Sequence, residues 1–167
     1  MVTVAFALLF LLGFMGVALD FGHLFVVKTE LQTASDSCAL AAAQELDGAA
    51  DALTRATNAG VTAGNLNKVN FQGTAVGFVA NDVTFSDSLT GAYSTNFLPV
   101  ANAKYARCTH TRGGMLPWML QAMQGFSGDA AYGATQGVAA AGVATRASGQ
   151  TNCSLPIGLC QKPGGFQ

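Results

Sequence analysis

The sequence predicts an α+β fold in which one long helix at the amino-terminal end carries a small antiparallel sheet. Three observations lead there. Residues Met1 to Leu46 hold no proline and read as one unbroken helix. From Val69 onward the texture changes to short pieces rich in β-branched and aromatic residues. Between these pieces lie clusters of Gly, Asn, Asp and Ser, which turn the chain back on itself.

The helix changes its solvent partway along. From Met1 to Leu19 the only polar side chain is Thr3, the composition of a segment that crosses a bilayer or is buried all round in other helices. Beyond Lys28 the pattern becomes amphipathic, dominated by the good helix formers Ala, Leu, Lys, Gln and Glu. Gly48 is a natural stop, since glycine tolerates the left-handed conformation of a helix end. At about 1.5 Å per residue the element is about 70 Å long, more than a domain of this size needs for its own core. Its apolar half must therefore find partners outside the chain, either lipid or other copies. Gly13, Gly16 and Gly22 each cost about 1 kcal/mol against alanine, yet they also let a neighbouring backbone approach closely.

On a helical wheel of about 100° per residue, Phe6, Phe10, Phe14, Phe21 and Phe25 share one face, roughly a third of the circumference. Gly13, Gly16, Asp20 and His23 share another. The phenylalanine stripe reads as a packing seam against lipid or neighbouring helices; nothing in the sequence favours an electron-carrying ladder. Asp20 reads as a buried charge, because an acid beside so apolar a run is expensive unless it marks a boundary or meets a partner. His23, three residues on, is one candidate partner, and an amino terminus or basic group of a neighbouring subunit is another.

The run GVALDFGHLFVVKTELQTASDSCALAAAQEL, Gly16 to Leu46, resembles the amino-terminal signature of TadE/TadG-like tight-adherence pilus proteins, which are type IV pilin-like. The shared features are an "ALDxG" element, here Ala18 to Gly22, and a "LQxAxDxxALAAA" continuation, here Leu31 to Ala43. The resemblance implies a pilin-like lollipop: residues 1–46 form a helix whose apolar half is transmembrane or filament core, and 47–167 form a small α+β extracytoplasmic domain. It implies a structural subunit of an extracellular filament, assembled through Phe6, Phe10, Gly13, Phe14, Gly16, Phe21 and Phe25. The alternative is a membrane-anchored minor pilin or assembly and adhesion factor that does not itself polymerise. Expected partners are copies of the chain, the inner membrane before assembly and the pilus assembly machinery; the expected location is the cell surface. One departure is residue 5, alanine where TadE-like members and many pilins carry glutamate, which leaves Asp20 as the only acid in the apolar half.

Charged residues make up 10% of the chain and the net charge is −1, so there is no basic footprint for nucleic acid. Met1 opens directly into the apolar run with no basic flank, so the native subunit is expected to begin at or near Met1 after removal of a leader. After the long helix, Ala49 to Ala63 reads as a short helix with Ala52, Leu53, Ala56 and Ala59 inward. Strands are expected at Val69 to Gln72, Gly77 to Ala80, Val83 to Ser86 and Lys104 to His110, with the stretch from Asp87 to Ala103 as a hairpin or loop. Met115 to Gln124 reads as a helix with Pro117 in its first turn and Trp118, Leu120 and Met123 plugged onto the sheet. Asp129 to Ala147 reads as a long strand.

Four cysteines in an extracytoplasmic chain suggest two disulfides, with three possible connectivities. Cys153 and Cys160 enclose the loop SLPIGL, which Pro156 and Gly158 let turn back, and TadG-like members have a similar ending. That leaves Cys38 to tie the helix to Cys108 on a strand. A zinc site lacks a CxxC pair, and Asp82, Asp87 and Asp129 lack the spacing of a calcium loop. There is no HExxH, GxSxG, Walker or CxxCH sequence, and His110 reads as solvent-facing on its strand, so neither an enzyme nor a cofactor is expected.

Overall fold

The computed structural model describes residues 2–133 and 135–146. A helix of 43 residues, α1 (Val2–Gln44), carries a small α+β domain along its carboxyl-terminal half. The first buried residue of α1 is Gly16, and from Val27 onward a stripe of Val27, Leu31, Ala34, Cys38 and Ala42 runs at helical spacing with each of these nearly inaccessible. On the opposite face Thr29, Thr33 and Ser37 donate their hydroxyls to the carbonyls of Phe25, Thr29 and Thr33 at 3.0, 3.1 and 2.9 Å. Such bonds satisfy exposed hydroxyls within the helix itself.

The helix ends at Gln44, two residues before the expected Leu46, and beyond it Gly48 takes a φ of 85° that only glycine adopts without strain. A corner follows, held by Arg55, which reaches Glu45 and Asp47 at 2.6 Å each and Asp51 at 3.1 Å. The Ala49 N–H and the Arg55 guanidinium hold the Asp47 carboxyl below its usual range. Because the folded value is depressed, this stabilisation is present above the ordinary carboxylate pKa and is lost as pH falls through the folded one. The corner takes residues that the sequence pattern placed in the next helix, so α2 spans Ala52–Leu66 rather than starting at Ala49. Its buried stripe is Ala52, Ala56, Gly60 and Gly64, seated on Cys38 and Ala42 of α1; Leu53 and Ala59 lie at the edges.

Two short strands, β1 (Lys68–Val69) and β2 (Thr74–Ala75), form a tight hairpin. The expected strand to Gln72 is cut short because Asn70, Phe71 and Gln72 all take the left-handed conformation. The expected strand from Gly77 to Ala80 is absent as well. There the side chain of Asn65 stands in for a strand partner, accepting from the Gly77 and Phe78 N–H groups at 3.0 and 2.7 Å and donating to the Phe78 carbonyl at 3.0 Å.

The main sheet is antiparallel with order β3-β4-β5, comprising β3 (Val83–Ser86), β4 (Tyr105–Met115) and β5 (Gln136–Thr145). Cys108 faces Val83 on one side and Gly142 on the other. β5 lies directly on α1: a Cβ on Gly142 would sit 2.6 Å from the Ser35 carbonyl oxygen, so only glycine permits the approach. Lys28 donates to the Ala139 carbonyl, and Gln32 donates to that of Ala141 at 2.9 Å. The expected long strand from Asp129 is shorter because Ala130–Gly133 forms a 3-10 turn first. The loop from Asp87 covers the outer face, where the Arg107 guanidinium stacks 4.1 Å from the Tyr93 ring centroid and burial pushes the Tyr93 phenol up.

Helix α3 (Trp118–Ser127) begins after Pro117, which stands at its N-cap, rather than at Met115, because Met115 is the last residue of β4. Trp118 does not plug onto the sheet; it is 81% exposed. The side chains of Leu120 and Met123 lie outside the described residues.

A disulfide joins Cys38 to Cys108 across a separation of 70 residues, tying α1 to the central strand. Cys153 and Cys160 lie outside the described residues. Closing a loop of that length removes about 4 kcal/mol of chain entropy from the unfolded state. Urea unfolding in detergent of a variant with both Cys38 and Cys108 changed to serine should show a loss of that size.

Candidate assembly and membrane surface

The surface with functional potential is the bare half of α1 and the belt where the domain begins. Among the described residues α1 is the helix long and apolar enough to cross a membrane. Phe6, Phe10, Phe14, Phe21 and Phe25 all stand exposed on it, with Phe10 and Phe14 in ring contact at 5.6 Å. Phe6, Leu9, Phe10, Gly13, Phe14 and Val17 form a shallow apolar groove, into whose floor Gly13 opens without a neighbour. Among the described residues none covers these side chains.

The other face, which carries Gly16, Asp20 and His23, is occupied by the chain's own domain. Gly16 lies under Met119, whose Cε would be 2.5 Å from a Cβ at that position. One turn on, the half-buried Asp20 accepts the Met119 backbone N–H at 3.0 Å. Met119 is the second residue of α3, and Pro117 offers its helix no side-chain cap, so a carboxylate from α1 meets unpaired N–H groups and the positive end of the α3 dipole. Gly16 and Asp20 thus make a socket for the first turn of α3.

His23 is engaged one turn further along: its Nε2 lies 2.7 Å from Asn70 Oδ1, and its ring stacks on Phe71 at 5.3 Å, nearly parallel. The three left-handed residues of this turn cost roughly 1–2 kcal/mol each without glycine. Their successive N–H groups form a small anion nest, and Glu30 fills it, accepting from Phe71 N, Gln72 N and Gln72 Nε2 at 3.2 Å each. No local sequence signal marks this turn, because its stabilising acid lies on α1.

His110 also departs from expectation. Its Nδ1 lies 2.9 Å from Asp82 Oδ2, its ring rests on Phe78, and its side chain is only 16% exposed. The signal was available: strand alternation puts residue 110 on the same face as Cys108, which already points to α1. Asp82 is further engaged by the Val79 N–H, and Asp129 by the Ala131 N–H. Among the described residues no group of three His, Cys, Asp or Glu side chains is placed to hold a metal ion.

Residues 1–45 match the family described as "Putative Flp pilus-assembly TadE/G-like". The matched segment is coextensive with α1 and includes both the bare phenylalanine face and the socket at Asp20. The match points to a pilus-related role, and to a structural rather than an enzymatic one. No match was found among curated proteins or among solved structures.

Glu30→Ala should destabilise the full chain in detergent by about 1–2 kcal/mol, the scale of charge-assisted bonds at a partly exposed site. Asn70→Gly in that background should recover part of the loss by relieving one left-handed residue, and thermal unfolding of the variants checks both.

Proposed function

We propose that the protein is a pilin-like structural subunit that inserts in the inner membrane through α1 and then assembles, by that helix, into an extracellular filament with copies of itself. The observation that carries this reading is the bare amino-terminal half of α1. From Val2 to Met15 every side chain is exposed, although nearly all are apolar, and the family match covers this same segment. An isolated chain cannot keep such a surface in water. Lipid covers it before assembly. In a fibre outside the cell, burial at about 25 cal/mol per Å² of apolar surface against neighbouring helices becomes the main assembly force.

The polar alternative for registering subunits is weak. The Asp20 carboxylate already accepts from α3 of its own chain. The phenylalanine face and the groove around Gly13 are therefore the natural contact between copies. Gly16 belongs instead to the contact with Met119, so enlarging it acts first on α3.

Phe10→Asp should abolish fibres seen by electron microscopy of sheared cell-surface material while the Cys38–Cys108 disulfide still forms, since Phe10 lies remote from the domain. Normal fibres containing the variant, identified by mass spectrometry, would exclude a shared helical core. Chain found only in the membrane fraction, with fibres built from other subunits, would instead favour a non-polymerising anchor or assembly factor.

A further inference from the structure

We infer that the base of the domain is a lipid-seated collar: Trp118, Leu116, Met119 and Phe71 rest in the headgroup and upper acyl region of the bilayer while α1 spans it. This rests on the membrane insertion proposed above. The four side chains are exposed to different degrees, Trp118 most of all, and they border one cleft of about 680 Å³ whose other wall is α1 from Leu19 to Val27.

The position of this belt selects lipid as the occupant. Val2 to Leu19 at 1.5 Å per residue spans about 27 Å, close to the roughly 30 Å hydrocarbon core of a bilayer. The socket that holds α3 is formed by Gly16 and Asp20, at the end of that apolar run. The collar is thus continuous with the spanning surface and lies at the depth where the hydrocarbon gives way to headgroups. Tryptophan favours that depth, because its ring is apolar and its N–H finds partners among the headgroups.

The polar groups at the belt fit the same occupant. Arg112 lines the cleft and supplies a cation at headgroup level. The nearby acids are turned to backbone donors, Asp20 to Met119 N and Glu30 to Phe71 N and Gln72 N, so the carboxylates are not aimed at lipid phosphates. The left-handed turn sets Phe71 beside His23, on the same rim.

Trp118 is the only tryptophan in the chain, so its emission reports the collar directly. The full chain is reconstituted into vesicles of phosphatidylcholine and phosphatidylglycerol, floated on a density gradient, and probed with nitroxide labels at shallow and deep acyl positions. The expected result is co-flotation, emission blue-shifted from that of the urea-unfolded chain, and stronger quenching by the shallow label. Gly16→Leu, with the Cys38–Cys108 disulfide confirmed by mapping, should displace Met119 and reduce the shallow quenching. Co-flotation with water-like emission, quenched by aqueous iodide and untouched by lipid labels, would overturn the collar and leave the membrane span intact. Failure to float would overturn the span, and the collar with it. Shielding from both iodide and lipid labels in cross-linked oligomers would assign the belt to a second copy and overturn the lipid assignment.

Discussion

The close seat of the domain on one stripe of α1 is the constraint on which the rest of the structure depends. The stripe is lined by small side chains, Ala34, Ser35, Cys38, Ala39, Ala42 and Ala43, and the elements that cover it bring glycines or alanines to the contact. Gly60 and Gly64 of α2 meet Cys38 and Ala42, and Gly142 of β5 meets the backbone at Ser35. With so little side-chain volume between them, backbones approach closely and dispersion replaces the bulk of a leucine core. Larger residues, Leu31, Val83 and Phe85, are fully buried in the same core. The Cys38–Cys108 disulfide fastens this contact at its centre, joining the helix to the strand that has a neighbour on both sides.

That arrangement explains which parts of the fold were legible in the sequence. Elements defined by local pattern were readable: α1 by its length without proline, and β3 and the first half of β4 by alternation between turn residues; α3 was readable as a helix, but it starts at Trp118 because β4 continues to Met115. The pairing of Cys38 with Cys108 was read by elimination, from the short loop between Cys153 and Cys160, and the structure has it. What escaped were features whose cause lies far along the chain. Asn65 completes the backbone of Gly77 and Phe78 and so removes a strand that composition favoured. Glu30 stabilises three left-handed residues forty positions later, where their own sequence reads as strand. His110 is the exception, since alternation from Cys108 was enough to turn it inward.

The candidate surface divides in the same way. The phenylalanine face was visible because a helical wheel needs only spacing, and the structure leaves that face bare. Asp20 was visible as an anomaly, but its contact with α3 could not be named from sequence: the Met119 N–H lies 99 residues away and becomes available only because Pro117 starts a helix without a side-chain cap. Trp118 was misplaced for a related reason. An aromatic residue in a short apolar helix ordinarily packs inward, and it points outward here because Met119 takes the socket over Gly16.

On the proposed reading, α1 must serve first in lipid and then among other helices, and these environments share only their lack of hydrogen-bonding water. A polar group left to find its partner in either one would carry a desolvation cost of several kcal/mol. Asp20 is the acid nearest the apolar half, and its bond to α3 travels with the chain through both environments. The His23 bond to Asn70 and the Glu30 bonds to the adjacent turn are equally internal. What remains for contact outside the chain is mainly apolar area, which lipid and helix can cover alike. A boundary at which Asp20, His23 and Glu30 are each engaged from within the chain lets one surface change solvent without changing its fold.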